Sequence, residues 1–145
     1  MIDVSNQEPR HSVLDDLREL ELPAGSYMVM GSGILDALGI RPADDVDMVV
    51  QGDVYDRLRS QGWSDHVTSG GVPNGIEQGV FQAYDRWSDE TVIKTLEQLL
   101  PDAEWVNGVP FNSLARLSLY KVRRGLPKDL ADLELIGAYQ RSTTE

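Results

Sequence analysis

The sequence predicts an α/β (α+β) fold with a mixed β-sheet, helices flanking the sheet and a helical C-terminal part. Two short apolar runs, 26–30 and 46–50, have the length and composition of buried strands. Turn-forming glycines and apolar alternation over 63–87 indicate a β-rich stretch. Apolar residues at helical spacing dominate 113–140, and strands mixed with helices in this order are typical of a sheet covered by helices.

Each predicted element rests on hydrophobic spacing and on the residues that begin or end it. The first half contains a helix over 11–21 ended by Pro23 and Gly25, a strand over 26–30, a helix from Ile34 to Leu38, a strand over 46–50, and a helix over 54–61 capped by Asp53 and ended by Gly62. The second half contains strands at 63–67 and 80–84 around a turn at 70–75, a helix capped by Ser88-Asp89-Glu90 and running to Leu100, an Asn-Gly hairpin over 105–111, a helix from Ser113 to about Arg123, and a last helix from Lys128-Asp129 to about Tyr139.

Length and composition are those of a soluble globular protein. The 145 residues suit one domain over 1–145, with 1–9 a loose polar tail and 113–140 the helical part. No apolar stretch approaches 18 residues and no secretory pattern opens the chain, so we expect no membrane span and a cytoplasmic location. The sequence has no cysteine and only two histidines, which argues against disulfides and zinc catalysis.

The net charge of −11 argues against broad nucleic-acid binding, which depends on neutralising phosphates with basic side chains. One basic cluster departs from this acidic balance: Lys121, Arg123, Arg124 and Lys128. An acidic protein that binds a nucleotide would do so through a metal ion and this one basic cluster.

Two short segments carry the chemistry. Gly31-Ser32-Gly33 leaves the first predicted strand, and Asp45-Val46-Asp47 opens the second. Side chains two residues apart on a strand point to the same face, so Asp45 and Asp47 would direct both carboxylates to one place. Such a pair favours a divalent cation, and a glycine turn offers backbone N–H groups to a phosphate. The combination predicts a site for a nucleoside triphosphate with Mg²⁺.

With these segments, the chain resembles the nucleotidyltransferase superfamily, and in particular small proteins of its minimal and antitoxin type. The resemblance extends to 108–114, Lys121 and 125–132, and it covers roughly residues 25 to 140. It implies a nucleotidyltransferase-like mixed sheet. It also implies transfer of a nucleoside monophosphate from an NTP to a hydroxyl acceptor, with two Mg²⁺ ions held by three carboxylates.

Carried over by position, the resemblance makes Asp45 and Asp47 the metal ligands, and Gly31 and Ser32 the residues that hold the β- and γ-phosphates. For Gly31 the plain alternative is a strand-to-helix turn that needs positive φ, which is compatible with the phosphate role. For Asp45 the alternative is a solvated residue at the strand entry.

The third carboxylate should lie on the strand beside Asp45 and Asp47, which we place at 77–85. The candidates are Glu77, before the apolar run, and Asp85, at its far end. Glu77 is favoured because it would lie at the same sheet end as Asp47, although each acid also fits an ordinary surface position. If the neutral Gln82 occupies the third position, metal binding is impaired and nucleotide would bind without turnover.

Other side chains have competing interpretations. Lys121 and Lys128 would meet a triphosphate as point charges or belong to a solvated helix face. Asp129 more readily caps the last helix than binds metal, and Asp132 more readily forms surface ion pairs. Three tryptophans are candidates for stacking on a base, although core packing is the commoner role of such residues: Trp63, Trp87 and Trp105.

The predicted function is therefore NMP transfer from an NTP, ATP by default, to a hydroxyl of a protein, an RNA end or a small molecule such as an aminoglycoside. The alternative is a catalytically weak or inactive protein of the same fold that acts as an antitoxin or regulatory binding partner. A third possibility is an acidic domain with no nucleotide role. The expected partners are a nucleotide and either a cognate toxin or a second copy of the chain. The sequence has no nucleophile elbow and no P-loop, which excludes those hydrolase and ATPase classes.

Overall fold

The computed structural model describes residues 12–67, 73–89 and 92–144. Within them the strands are β1 (Tyr27–Met30), β2 (Val46–Val50), β3 (Ser64–Val67), β4 (Pro73–Gln78), β5 (Phe81–Tyr84), β6 (Trp87–Asp89), β7 (Val92–Lys94), β8 (Glu104–Val106) and β9 (Val109–Phe111). The helices are α1 (Val13–Leu20), α2 (Gly33–Ala37), α3 (Gly52–Ser60), α4 (Leu96–Leu99), α5 (Leu114–Arg124) and α6 (Pro127–Thr144), with a 3₁₀ turn over Leu100–Asp102. The expected loose tail, 1–9, lies outside these residues.

Seven strands form one mixed sheet in the order β3-β4-β5-β2-β1-β9-β8. The pairs β1–β9 and β2–β5 are parallel, whereas β1–β2, β3–β4, β4–β5 and β8–β9 are antiparallel. Strands β6 and β7 form a separate two-stranded sheet. The predicted mixed sheet with helices, ending in a helical C-terminal part, is confirmed.

The central strands β1 and β2 are buried on both faces, which explains why their sequences are nearly continuous apolar runs. One face packs into the main core with α1, α2, α3, α5 and α6. On the other face a smaller cluster joins Met28, Met30 and Val49 to Leu96 and Leu99 of α4. The second face is thus only partly covered by apolar residues, and this is the face that carries Asp47.

Several element boundaries follow local chemistry that the sequence displays. Ser12 and Ser113 cap α1 and α5 by accepting a backbone N–H three residues on. The β8–β9 turn has Asn107 at φ 50° and Gly108 at φ 79°, the left-handed pair that a two-residue hairpin needs. The cap by Ser113 and the Asn-Gly hairpin confirm the corresponding predictions, whereas the cap by Ser12 was not predicted.

The predicted helix from Ser88 to Leu100 is wrong over most of its length. Trp87–Asp89 and Val92–Lys94 pair as an antiparallel hairpin, and only Leu96–Leu99 is α-helical. The N-cap of this short helix is Thr95, which forms a capping box with Gln98. The β-branched pair Val92-Ile93 favours a strand over a helix, and it outweighs the acidic residues before it.

Smaller boundary errors occur elsewhere. Asn74 and Gly75 belong to β4 rather than to a turn, and residues 70–72 of the predicted turn lie outside the described residues. The N-cap of α3 is Gln51, and Asp53 lies inside the first turn. Helix α6 begins at Pro127, one residue before Lys128, and extends beyond Tyr139. Proline at the first helical position suits a helix start because its missing N–H would be unpaired there anyway.

Within the described residues, no helix combines the length and the apolar character needed to cross a membrane.

A buried ion network joins α5 to α6. Asp129 accepts hydrogen bonds from Arg124 (Nη2–Oδ1 2.6 Å, Nε–Oδ2 2.7 Å), and it also accepts the Leu126 N–H at 3.0 Å. Lys121 Nζ lies 2.7 Å from Asp132 Oδ2 and 3.6 Å from Asp129 Oδ1. The Arg124 guanidinium holds the pKa of Asp129 far below its usual range. Asp129 therefore caps α6 as expected, but as part of a buried network.

Asp132 corrects a prediction, because it is buried rather than part of a surface ion pair. Its carboxylate accepts two hydrogen bonds from Arg41, at 2.6 and 2.7 Å, in addition to the contact with Lys121. The hydrogen bond from Arg41 has the largest effect on the pKa of Asp132, and together with Lys121 it lowers that pKa below 3.8. The carboxylate thus connects the loop before β2 to both C-terminal helices.

We expect Asp132→Asn to destabilise the protein by about 2 kcal/mol at pH 7, because Lys121 and Arg41 lose a buried partner. Since the folded-state pKa is lowered, this stabilisation is complete above about pH 4. It is lost as the pH falls from 3.8 through the folded-state pKa. Thermal unfolding of both proteins between pH 7 and pH 2 should show the difference shrink at acid pH. Asp65→Asn, at an exposed pair with Arg59, is the control and should change stability by less than about 0.5 kcal/mol. A pH-independent difference would contradict the prediction.

Candidate functional site

A cavity of about 430 Å³ lies where β1 ends and β2 begins, between the sheet, α5 and the β6–β7 hairpin. Its charged lining residues are Asp47, Lys94, Asp102, Arg116, Lys121 and Arg124. Its other lining residues are Met28, Met30, Gly31, Ser32, Trp87, Ser88, Leu99, Asn112, Leu117 and Tyr120. The lining has four basic side chains and two acidic ones, and three of the basic ones form ion pairs: Arg116 with Asp102, Lys121 with Asp132, and Arg124 with Asp129. The cavity volume is within the range of small-molecule sites.

The predicted glycine turn and the second aspartate meet at this cavity. Met30 and Asp47 are direct partners in the β1–β2 pair, so the turn after β1 comes next to the Asp47 side chain. Gly31 has φ 66°, and a Cβ built on it would lie 3.5 Å from Asp47 Oδ2. Glycine therefore satisfies both the left-handed backbone and the close approach of the carboxylate. Ser32 follows at the start of α2 and makes no side-chain capping bond.

Asp47 is an acid in an unfavourable environment. Burial raises the pKa of its carboxyl group, and the nearby negative charge of Asp45 raises it further, while His66 acts in the opposite direction. Among the described residues, Oδ1 of Asp47 is buried without a hydrogen-bond partner. Leaving a buried acceptor unsatisfied costs about 1–3 kcal/mol. A cation or a hydrogen-bond donor in the cavity would remove this cost.

Asp45 does not share this position. It is exposed, precedes β2 and is absent from the cavity lining, although it is near enough to influence the pKa of Asp47. The two aspartates are thus electrostatically coupled, but only Asp47 faces the cavity. We retain Asp45 as an outer candidate ligand.

The third-carboxylate prediction depended on one strand over 77–85, and the structure divides this segment between two strands. The strand beside β2 is β5, and there the residue paired with Asp47 is Gln82. Glu77 lies on β4, one strand further away, as the partner of Gln82. Asp85 follows β5 and is exposed, with its Oδ1 3.7 Å from Arg86 Nε. Neither acid occupies the position next to Asp47.

Both Gln82 and Glu77 are engaged in other contacts. Tyr84 donates its hydroxyl to Gln82 Oε1 at 3.1 Å, and Glu77 Oε2 lies 2.9 Å from His66 Nδ1. Burial, followed by the charges of Asp47 and Glu77, raises the pKa of Tyr84 to about 12, so its hydroxyl remains a donor at neutral pH. The position opposite Asp47 therefore holds a neutral amide that is oriented by a tyrosine.

No group of three or more His, Cys, Asp or Glu side chains that could hold a metal ion occurs within 12–67, 73–89 and 92–144. A cage of three protein carboxylates is therefore not formed by these residues. The site can still offer one buried carboxylate oxygen, that of Asp47. Magnesium sites on nucleotides commonly use one or two carboxylates and take their other ligands from phosphates and water.

The predicted basic cluster separates into two parts. Lys121 and Arg124 line the cavity from α5, whereas Lys128 is exposed at the start of α6 and is not among the lining residues. Lys94 and Arg116 also line the cavity and were not predicted. The sequence signal for Arg124 was its place in the cluster. Lys94 had none, because its segment was predicted to be helical.

Asn112 was quoted only as part of the resemblance, but the structure places it in the cavity lining. It follows β9 directly and is only 7% exposed. Its Oδ1 is buried, and the described part of the chain offers that atom no hydrogen-bond partner. A polar residue directly after the predicted hairpin at 105–111 was the available signal.

The three tryptophans have different environments. Trp63 is in the main core, and Trp105 is 54% exposed on β8. Trp87 lines the cavity, with its ring edge-to-face against Tyr84 at a centroid distance of 5.6 Å. Core packing is thus confirmed for Trp63, and Trp87 alone of the three contributes to the candidate site.

Comparison of this chain with protein-family models, with curated proteins and with solved structures found no match.

Proposed function

We propose that this chain is a nucleotidyltransferase-type protein that binds a nucleoside triphosphate with Mg²⁺ in the cavity beside α5. The reaction proposed for it is transfer of the NMP group to a hydroxyl acceptor. The acceptor oxygen forms a bond to the α-phosphorus and its hydroxyl proton passes to water. The bond between the α-phosphorus and the oxygen that bridges to the β-phosphate breaks, and pyrophosphate leaves with that oxygen. Membership of the nucleotidyltransferase superfamily, which the sequence resembles, is part of this proposal.

One observation carries the proposal. Within the described residues, the two buried side-chain atoms without a hydrogen-bond partner, Asp47 Oδ1 and Asn112 Oδ1, both belong to residues that line this cavity. Buried polar groups in folded proteins are nearly always paired, so an unpaired pair in one cavity indicates that a ligand completes it. Lys94 lines the same cavity, and its ammonium group favours an anionic ligand such as a triphosphate.

The residues present fit a Mg²⁺ ion that arrives with the nucleotide. Asp47 would be its protein ligand, with Asp45 contributing charge from outside the cavity. Bound Mg²⁺ would neutralise phosphate charge and hold the triphosphate in one orientation. Gly31 and Ser32 would hold the phosphates through the backbone and the hydroxyl. Lys94 would compensate part of their charge, because Lys121 and Arg124 are already bound to Asp132 and Asp129.

Gln82 favours a second candidate function. An amide is neutral, so it attracts Mg²⁺ less than a carboxylate does and cannot accept the proton of an attacking hydroxyl. Its place opposite Asp47 supports nucleotide binding with little or no turnover, as suits an antitoxin or regulatory partner that responds to nucleotide. The two functions share the binding site and differ only in the chemical step.

Calorimetric titration with ATP and Mg²⁺ tests the binding that both functions require. We expect saturable heat that is weakened when EDTA removes the metal. An absence of binding to ATP, GTP, CTP and UTP would overturn the proposal. Pyrophosphate release with protein, RNA and small-molecule acceptors then separates the two functions, because only the transferase releases it.

A further inference from the structure

We propose that Asn112 binds a ribose hydroxyl of the nucleotide and thereby makes the site selective for ribonucleotides over deoxyribonucleotides. This inference rests on the proposed function and adds the class of nucleotide that the site accepts. The inference depends on the position of the Asn112 side chain, on the missing hydrogen-bond donor to its oxygen, and on the groups of a nucleotide that can donate such a bond.

The backbone around Asn112 is firmly held. Its N–H donates to Val29 O at 2.8 Å, which extends the β1–β9 pairing by one residue. The next residue, Ser113, caps α5 by accepting the N–H of Arg116 at 3.1 Å. Asn112 is therefore fixed between β9 and the start of α5, and its side chain has little freedom to leave the cavity wall.

The register of the sheet places Asn112 beside the predicted phosphate turn. Val29 pairs with Phe111 in the parallel β1–β9 pair, so Asn112 is level with Met30, and Met30 is level with Asp47. Residues level with each other on paired strands share a face of the sheet. Asn112 and Asp47 consequently lie on one face, on the two sides of the strand that leads into Gly31 and Ser32.

The unpaired atom defines the ligand chemistry. Asn112 Oδ1 only accepts hydrogen bonds, and no donor reaches it from the described residues. The nearby cation Lys121 is directed to Asp132 at 2.7 Å. Phosphate oxygens of a bound triphosphate are acceptors as well, so they cannot satisfy Oδ1. The ligand must present an O–H or N–H there.

In a nucleotide whose phosphates lie at Gly31 and Ser32, the nearest hydrogen-bond donors of the nucleotide itself are the hydroxyls of the ribose. The base amino group is separated from the phosphates by the whole sugar. A protein acceptor built for a hydroxyl discriminates strongly against the analogue that lacks it, because the acceptor is then left buried and unpaired. Asn112 Oδ1 therefore accepts a hydrogen bond from the 2′- or 3′-hydroxyl of the ribose.

The experiment compares ATP, 2′-deoxy-ATP, 3′-deoxy-ATP and inorganic tripolyphosphate, each with Mg²⁺, by calorimetry. We expect the wild type to bind ATP about tenfold more tightly than at least one of the deoxynucleotides. In Asn112→Leu this difference should disappear, while tripolyphosphate binds the variant as it binds the wild type. The deoxynucleotide that loses affinity identifies which hydroxyl is bound.

The matched control is Asn74→Leu, which makes the same change at an exposed position outside this cavity and should keep the preference for ATP. Asn112→Ala provides a second variant if leucine does not fit. Equal binding of ATP and both deoxynucleotides by a wild type that binds tripolyphosphate would overturn this inference and leave the proposed function intact. A wild type that binds none of ATP, GTP, CTP and UTP overturns the proposed function itself.

Discussion

Replacing Asp47 by asparagine should stabilise the protein and abolish its Mg²⁺-dependent nucleotide binding at the same time. Without a ligand, the Asp47 carboxylate is a poorly solvated charge with an unpaired oxygen among the described residues. Asparagine removes that charge at nearly constant shape. We expect a gain of about 1 kcal/mol at pH 7 and a rise in Tm of about 3 °C.

The pH dependence of this gain has a definite sign. Because the folded-state pKa of Asp47 is raised above 3.8, the acid destabilises the fold only where it is ionised. Its cost is absent below about pH 3.8 and grows as the pH rises through the folded-state pKa. The Tm difference between Asp47→Asn and the wild type should therefore be small at pH 3 and largest at neutral pH.

The binding effect goes in the opposite direction. Loss of a metal-binding carboxylate should weaken ATP binding in the presence of Mg²⁺ by at least about 100-fold, and the variant should no longer respond to EDTA. Asp45→Asn is the companion variant, since it removes the exposed partner and leaves Asp47 in place. We expect it to weaken binding by less than about tenfold. An Asp47→Asn protein that is less stable and still binds ATP with Mg²⁺ would contradict this account of the cavity.

Sequence reasoning succeeded where a single local rule determines the outcome. The apolar runs at 26–30 and 46–50 are strands because only burial on both faces suits such composition. Asn107-Gly108 forms the hairpin because few other pairs tolerate two left-handed residues. The sequence also predicted a glycine turn beside the aspartates, and the structure produces this approach of Gly31 to Asp47 by pairing β1 and β2 antiparallel.

Sequence reasoning failed where the outcome depends on non-local register. Glu77 and Gln82 lie five residues apart, and the sequence alone could not show that Gly79 and Val80 form a turn between them. Because of that turn, the residue next to Asp47 is the amide Gln82 and not the acid Glu77. Lys94 was missed for a related reason, because its strand exists only through pairing with Trp87–Asp89. The local amino-acid composition around a residue does not determine which strands pair.

The variant Gln82→Glu adds a carboxylate to the site, whereas Asp47→Asn removes one, so we expect the two variants to have opposite effects. The new carboxylate would lie opposite Asp47 on the neighbouring strand, with Tyr84 still able to donate its hydroxyl to it. Two carboxylates this close repel each other, so we expect the pKa of Asp47 to rise further and the free protein to lose about 1–2 kcal/mol of stability. Mg²⁺ should restore that loss, because a divalent cation binds a carboxylate pair more strongly than a single acid.

The same substitution distinguishes the two proposed functions. If the neutral amide limits the chemical step, Gln82→Glu should raise the rate of pyrophosphate release by about tenfold or more over a slow wild type, because the added carboxylate can bind metal or accept the hydroxyl proton. The exposed Gln78→Glu, on β4, adds the same charge away from Asp47 and should leave the rate and the Mg²⁺ response unchanged. A Gln82→Glu protein with unaltered Mg²⁺ affinity and no added turnover would show that this position has no part in the reaction. The regulatory interpretation would then stand on nucleotide binding alone.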